Sequence, residues 1–297
     1  MSPSIEYPII SIPPEAREDT EQLGSKPKFW VTLDGERWLF KEARPNTGED
    51  WAEKIGAEIA KLAHIEAADV ELASFGDKRG CISKNFISPS QGQALVHGNE
   101  LLASQVSGYD KTKVMKQSDH NVPNIISAAS EFFPNENLDG ALTQLAEYMV
   151  LDAVITNTDR HHENWGLRFK LAVDSFPFTI APSFDHASSL GRECLDSRAE
   201  SILKSDEVGK YVLRARGGVY WRSTDAKGAN PLELVRLAAS AYPKYFEPGI
   251  SKVSKLNESD IRQMLSAIPP SRISAVSREL AYQMIIYSLN EIRRFKK

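Results

Sequence analysis

Apolar and polar positions alternate along Lys28–Ala43: Phe29, Val31 and Leu33 share one face, and Trp38, Leu39 and Phe40 carry the return strand. Asp34-Gly35 between them is a strong two-residue turn signal, so this stretch predicts a β-hairpin. Lys41 falls on the same strand face as Leu39. From about Trp51 to Ala63 the rhythm becomes helical, with Ile55, Ile59 and Leu62 on one stripe. Two more short strands are expected around a turn at Gly76–Gly80. This first part reads as mainly β with one helix.

Helical spacing dominates the rest. A helix is expected over 99–106, and a longer one over 138–155, where Leu138, Leu142, Leu145, Met149 and Ala153 keep the i, i+3, i+4 rhythm. Strand-like pieces follow at 165–169 and 176–185, residues 186–230 read as irregular, and helices return at about 231–241, 257–267 and 272–295. Pro89 and Gly92 punctuate the chain at Ser88–Gly92. The expected organisation is an N-terminal arm (1–21), a β-rich lobe (22–88) and a mainly helical lobe (89–297), an α+β bilobal fold.

A net charge of -4 gives no global attraction to nucleic acid or anionic membrane. Cys81 and Cys194 lie far apart without a CxxC, which argues against a disulfide framework or zinc ribbon and fits reduced thiols in a cytosolic protein. No run of 18 apolar residues suggests a membrane span. The start, "MSPSIEYPIISIPPEARED", lacks the basic region and apolar core of a secretory signal, and its prolines suggest an extended arm. Residues 192–227 mix basic and acidic side chains and read as a solvated surface.

Chemistry concentrates in "LDAVITNTDRHHENWGLRF" (Leu151–Phe169). A metal site on His161 and His162 is one reading, but adjacent histidines project in different directions and the other four do not cluster in sequence. Phosphoryl transfer is the other. It needs a carboxylate for the attacking hydroxyl, oxygen ligands for Mg²⁺, a cation on the phosphates and backbone amides over the phosphate tail. Asp159 and Asn164 have the D-x-x-x-x-N spacing of a kinase catalytic loop. Asp185 in "APSFDHASSLG" follows after two short strands, as a second metal-binding carboxylate should. Lys41 sits on a strand of the β lobe, and Glu53 and Glu58 on the next helix are both candidates to orient it. Arg160 reads as a structural ion-pair partner or a phosphate contact.

With these residues in place, the chain resembles the HipA-like kinases, bacterial toxin-type serine/threonine kinases whose fold is related to protein and phosphoinositide kinases. Four stretches carry the likeness: "LGSKPKFWV" with "WLFKEARP", "DWAEKIGAEIAKLA", "NTDRHHENWGL" and "APSFDHASSLG". The resemblance implies Asp159 as catalytic base and Asn164 and Asp185 as Mg²⁺ ligands. It implies Lys41 on the α/β-phosphates with Glu53 as its partner, and Gly24, Ser25, Lys26 and Lys28 in the phosphate-covering loop. Lys84, Asn85 and Phe86 would form the hinge at adenine, through backbone groups, while His161, His162, Glu163 and Phe184 would line the nucleotide site. ATP and Mg²⁺ are the implied cofactors, and a protein serine or threonine hydroxyl is the implied acceptor. An antitoxin or regulatory protein is the implied partner, and the bacterial cytoplasm the implied location, with export as an effector the other reading. The loop "GSKPK" departs from G-x-G-x-x-G, and the short stretch before it reads as a compact, single-kinase-domain member. Two rivals remain: a lipid or small-molecule kinase of the same fold, and a nucleotide-binding module that acts by protein interaction. Direct nucleic-acid binding is not expected.

Overall fold

A computed structural model describes residues 6–20, 27–171 and 177–295. Six strands form one mixed sheet: β1 (Ile9–Ser11), β2 (Arg17–Thr20), β3 (Lys28–Leu33), β4 (Glu36–Glu42), β5 (Val70–Phe75) and β6 (Lys78–Lys84). Their order is β1-β5-β6-β4-β3-β2, with β1 parallel to β5 and the other pairs antiparallel. Asp34 and Gly35 adopt φ 50° and 78°, the left-handed pair that a two-residue hairpin turn requires. That turn sets the register, with Phe29 opposite Phe40 and Lys28 opposite Lys41. Phe29, Val31, Phe40, Ala73 and Ile82 bury one face together with Ile12. The turn between β5 and β6 is tighter than the Gly76–Gly80 expectation, since β6 already begins at Lys78. The stretch read as an extended arm supplies β1 and β2, which flank the sheet at its two edges. Strands of three and four residues are too short to display an alternation.

Helix α1 (Glu49–Leu62) is buried almost all round, because it lies between the sheet and the second lobe. Glu49 and Asp50 in its first turn complement the helix N-terminus. Asp50 is fully buried and receives Arg79 from β6 (2.6 and 3.1 Å) and Arg272 from the loop after residue 267 (2.9 Å). Arg272 also donates to the Ala73 carbonyl of β5 at 2.9 Å. One carboxylate thus clasps α1, the sheet and the helical lobe together. Asp50→Ala would strand the buried Arg272 guanidinium. It is expected to cost about 3–5 kcal/mol of stability, read as a lower urea midpoint.

The second lobe carries a three-stranded antiparallel sheet of β7 (Gln93–His97), β8 (Gly166–Lys170) and β9 (Phe178–Ile180). Its helices are α2 (Gly98–Gln105), α3 (Val122–Ser130), α4 (Asn135–Ile155), α5 (Asp196–Lys204), α6 (Val208–Arg214), α7 (Pro231–Ala241), α8 (Pro243–Ser254), α9 (Glu258–Ser266) and α10 (Ala275–Arg294). Helix α4 is the spine: Leu145, Met149–Leu151 and Ala153–Ile155 lie in the main core, and α3, α7, α8 and α10 pack against it. The irregular reading of 186–230 is corrected by α5 and α6. Each buries only two residues, Ala199 with Ile202 and Val208 with Val212, which is too little to show as periodicity. Among the described residues, no helix is long and apolar enough to cross a membrane.

Candidate active site

Helix α4 ends at Thr156, which takes a left-handed φ of 53°, and the chain turns into the Asp159–Asn164 loop. A β-branched residue rarely adopts that conformation. Asp185 (φ 61°) and Leu190 (φ 56°) are also left-handed. Three such non-glycine residues in two facing loops mark backbone held out of its preferred wells by the surrounding contacts. Those contacts are specific. The Leu190 N–H donates to the Ile155 carbonyl (3.0 Å), and the Thr158 N–H and hydroxyl both reach the Ser188 carbonyl (3.0 and 3.1 Å).

Lys41 on β4 reaches its expected partner Glu53 and, beyond the expectation, Asp185. Its Nζ lies 3.2 Å from Glu53 Oε1 and 3.4 Å from Asp185 Oδ1. Glu58 is instead committed to Lys54 (2.9 Å), a buried cation that also holds Glu71 and the Val70 carbonyl. The choice left open by spacing is therefore settled by geometry in favour of Glu53. Burial opposes the charge on Lys41, but Asp185 and then Glu53 outweigh it and raise its pKa above the ordinary lysine value. Two carboxylates face this one ammonium, and Glu53 Oε2 is buried without a hydrogen-bond partner.

Asp159 is half-buried. Its backbone N–H donates to Asn157 Oδ1 (3.0 Å), and the Ser188 hydroxyl donates to its Oδ2 (3.3 Å). Asn164 Nδ2 donates to the Asp159 carbonyl at 2.7 Å, so the amide oxygen is the end left to accept or coordinate. Phe184, just before Asp185, packs between the Phe86 ring (centroids 5.6 Å apart) and the His97 ring (6.4 Å). Phe86 thereby touches the Asp185 loop. The Lys84 and Asn85 N–H groups are already given to the Asp69 and Arg37 carbonyls (2.8 and 2.9 Å). Among the described residues, that leaves Phe86 as the expected hinge residue with an uncommitted N–H. The Lys84 ammonium turns to Glu36 (3.3 Å). Gly24, Ser25 and Lys26 lie outside the described residues, while Lys28 opens β3 opposite Lys41.

The double histidine splits. His161 is partly exposed and lies 3.9 Å from Glu163. His162 departs from the pocket-lining expectation: it is 1 % exposed, and its Nδ1 is 2.7 Å from the Tyr109 hydroxyl. Burial lowers its pKa. Among the described residues, no group of three or more His, Cys, Asp and Glu side chains could hold a metal ion, so the zinc reading of the pair finds no support.

Spacing did not identify Arg160 as the organiser of the site. It is buried and makes a two-pronged pair with Asp152 of α4 (2.8 Å for each prong). It also donates to the Asn164 carbonyl (2.7 Å), the Phe184 carbonyl (2.9 Å) and the Ser183 hydroxyl (3.0 Å). One side chain therefore ties the Asp159 loop, the Asp185 loop and the central helix. The available signal was Asp152, a lone acid inside the apolar end of α4. A cavity of about 350 Å³ at the far end of α1, lined by Glu58, Lys61 and His64 among others, contains none of these residues.

Two further histidines brace the loops from within. His120 donates from Nδ1 to the Gly218 carbonyl (2.9 Å) and accepts at Nε2 from the Trp165 indole (3.0 Å). His186 is bonded to Ser183 (2.8 Å). Burial pushes both pKa values down, from 6.5 to about 3. Both imidazoles stay neutral in the fold while the unfolded chain takes up protons below pH 6.5. Stability should thus be full above that value and fall as pH drops towards 3, by up to about 1.4 kcal/mol per pH unit for each histidine. A urea midpoint unchanged between about pH 7.5 and about pH 5.5 would contradict this.

Residues 21–231 match the family described as HipA-like C-terminal domain. No curated protein matches the chain. Among solved structures it resembles the Helicobacter pylori proinflammatory kinase CtkA, with a TM-score of 0.79 at 17 % identity, covering 97 % of this chain and 98 % of that one. It also resembles HipA of Shewanella oneidensis MR-1, from a toxin–antitoxin complex with HipB and operator DNA, with a TM-score of 0.60 at 12 % identity, covering 95 % of this chain and 67 % of that one. Identities this low establish the kinase-like fold and nothing finer.

Proposed function

Since the chain belongs to the HipA-like C-terminal domain family, we propose that it is an ATP- and Mg²⁺-dependent phosphotransferase acting on a serine or threonine hydroxyl of a protein. The observation that carries this reading is the meeting of Lys41, from the sheet, with Glu53 of α1 and Asp185 of the other lobe. The donor set fits the two cofactors. The surplus of carboxylate over ammonium around Lys41, with the amide oxygen of Asn164, is hard oxygen chemistry suited to Mg²⁺. The Lys41 ammonium is held charged and aimed, as a phosphate-pairing cation must be. When bound, ATP supplies the γ-phosphoryl group and Mg²⁺ offsets the charge on its phosphates.

The chain's own residues then divide the work. Asp159 aligns the attacking hydroxyl and takes its proton, with Ser188 fixing the rotamer of its carboxylate. Asn164 and Asp185 hold the metal from two loops that Arg160 keeps in fixed relation. Lys41 grips the α/β-phosphates and Glu53 keeps it in place. Lys28 on β3, opposite Lys41, would lie towards the phosphate tail, and the backbone at Phe86 would meet adenine. On this reading the chain is a bacterial cytoplasmic kinase with a regulatory partner of antitoxin type, and its two cysteines, neither in a disulfide, suit that compartment.

The test is transfer of label from γ-labelled ATP to protein, with phosphoserine or phosphothreonine read out after acid hydrolysis. Labelling should disappear when Mg²⁺ is chelated and return when it is restored. Label found only in lipid or in free small molecules would overturn the protein acceptor. Nucleotide binding without any transfer would overturn the enzyme.

A further inference from the structure

We propose that two exposed basic segments flanking the Asp159 loop form a docking surface for an acidic stretch of the protein acceptor, an inference that rests on the kinase reading. The first segment joins α2 to α3. Its Tyr109 hydroxyl meets His162 (2.7 Å), and Asn99, at the start of α2, donates its N–H to the His162 carbonyl (2.9 Å) and its side-chain amide to the Lys111 carbonyl of the segment (3.1 Å). The second runs on from Arg214, the last residue of α6. There Gly218 lies so close to the loop that a Cβ would stand 2.8 Å from the Arg160 carbonyl oxygen and 3.0 Å from the His161 nitrogen. The two segments are joined to each other, since His120 donates to the Gly218 carbonyl (2.9 Å) and the Tyr220 N–H donates back to the His120 carbonyl (3.0 Å). Both therefore sit directly against residues 160–162, beside the proposed base.

Their outward side chains are cations. Lys111, Lys113 and Lys116 are exposed on the first segment, and Arg214, Arg216 and Arg222 on the second. Lys54, Arg79, Arg160, Arg192 and Arg272, which tie elements of the fold together, each face a carboxylate instead. Among the described residues none of the six is in a direct ion pair, although Lys113 attracts Asp110 and Arg214 attracts Glu207. The acids nearby are turned to local work. Asp110 caps Thr112 (3.0 and 2.7 Å), and Asp225 accepts the Arg222 N–H (2.9 Å). Six exposed cations on two segments joined to each other at the loop set up a field that attracts and orients carboxylates.

A protein segment fits this surface better than a nucleic acid does. Single-stranded nucleic acid wants exposed rings to stack on, but Tyr109 and Tyr220 are buried and Trp221 is half-buried. The whole chain carries -4, against the strong basic balance of a phosphate-backbone binder. Met115, 72 % exposed among the lysines, offers an adaptable apolar contact of the kind peptide surfaces use.

The test uses the full chain and three fluorescent probes: a serine peptide flanked by Asp and Glu, its twin flanked by Lys and Arg, and a single-stranded DNA 20-mer. Anisotropy should show the acidic peptide bound at least about tenfold tighter than its basic twin, with affinity falling as salt rises. Lys111→Glu/Lys113→Glu/Arg214→Glu/Arg216→Glu should abolish that preference. The milder Lys113→Gln/Arg216→Gln should weaken it severalfold, which keeps the question open to test if the charge-reversed chain misfolds. Equal affinity for the two peptides, or no binding of the acidic one, overturns the surface. Tighter binding of the oligonucleotide than of the acidic peptide overturns it in favour of nucleic acid. Label transfer from ATP is scored separately. Peptide preference without transfer upholds the surface and defeats the kinase reading, and transfer without preference does the reverse.

Discussion

Asp159→Asn is expected to fold and to bind nucleotide as the parent does, and to lose about 10²–10⁴-fold in transfer rate. The substitution is nearly isosteric. Asparagine still offers Ser188 an acceptor, and the backbone bonds from Asp159 to Asn157 and Asn164 do not involve the carboxylate. What disappears is the group that takes a proton from the attacking hydroxyl. The measurement is kcat with γ-labelled ATP beside nucleotide affinity from a fluorescent analogue. A rate within tenfold of the parent would remove Asp159 from the mechanism. Asp185→Asn makes the useful contrast, since it takes a carboxylate from Lys41 and from the proposed metal set. Its signature is a higher Mg²⁺ requirement, rather than a lower rate at saturating Mg²⁺.

The parts of this site that could be read from the sequence share a physical property: their signals are local. The Asp34-Gly35 turn fixes the hairpin register, and that register places Lys41 on the strand. The spacing of Asp159 and Asn164 is a property of one loop. The pairing of Lys41 was less local, because Glu53 and Glu58 lie on the same helix. Only the side chains themselves, with Lys54 occupying Glu58, decide between them. Short elements were illegible for the opposite reason. β1, β2, α5 and α6 owe their existence to the surfaces they land on, and their own residues carry too few apolar positions to show a period.

His162 and Arg160 show the same limit from another side. In sequence they are two more polar residues in a polar loop. In the fold both turn inward, one to Tyr109 and the other to Asp152, because the loop crosses over the core of the helical lobe instead of standing clear of it. A polar residue that reaches the interior must find partners, so its role is set by what lies beneath it. The side-chain partners Tyr109, Asp152 and Ser183 lie eight or more residues away along the chain, which is why the loop's internal scaffold stayed hidden while its spacing did not.

Arg160→Met is the second substitution expected to be severe, and it separates stability from function. Removing the guanidinium leaves the buried Asp152 carboxylate, among the described residues, with only the Asn157 amide as a hydrogen-bond donor, at a cost of about 3–5 kcal/mol. It also releases the Asn164 and Phe184 carbonyls, so the two loops that carry the proposed metal ligands lose their common anchor. Adding Asp152→Leu removes the stranded charge, and replacing a buried ion pair by apolar side chains is often neutral or stabilising. The double variant should therefore recover most of the urea midpoint. Its transfer rate should stay at least about tenfold below the parent, because a loss of roughly 1 Å in alignment alone can cost about 10²-fold. If rate returns together with stability, Arg160 serves only to neutralise Asp152, and the registry between the Asp159 and Asp185 loops is set by the backbone bonds from Thr158 and Leu190 instead.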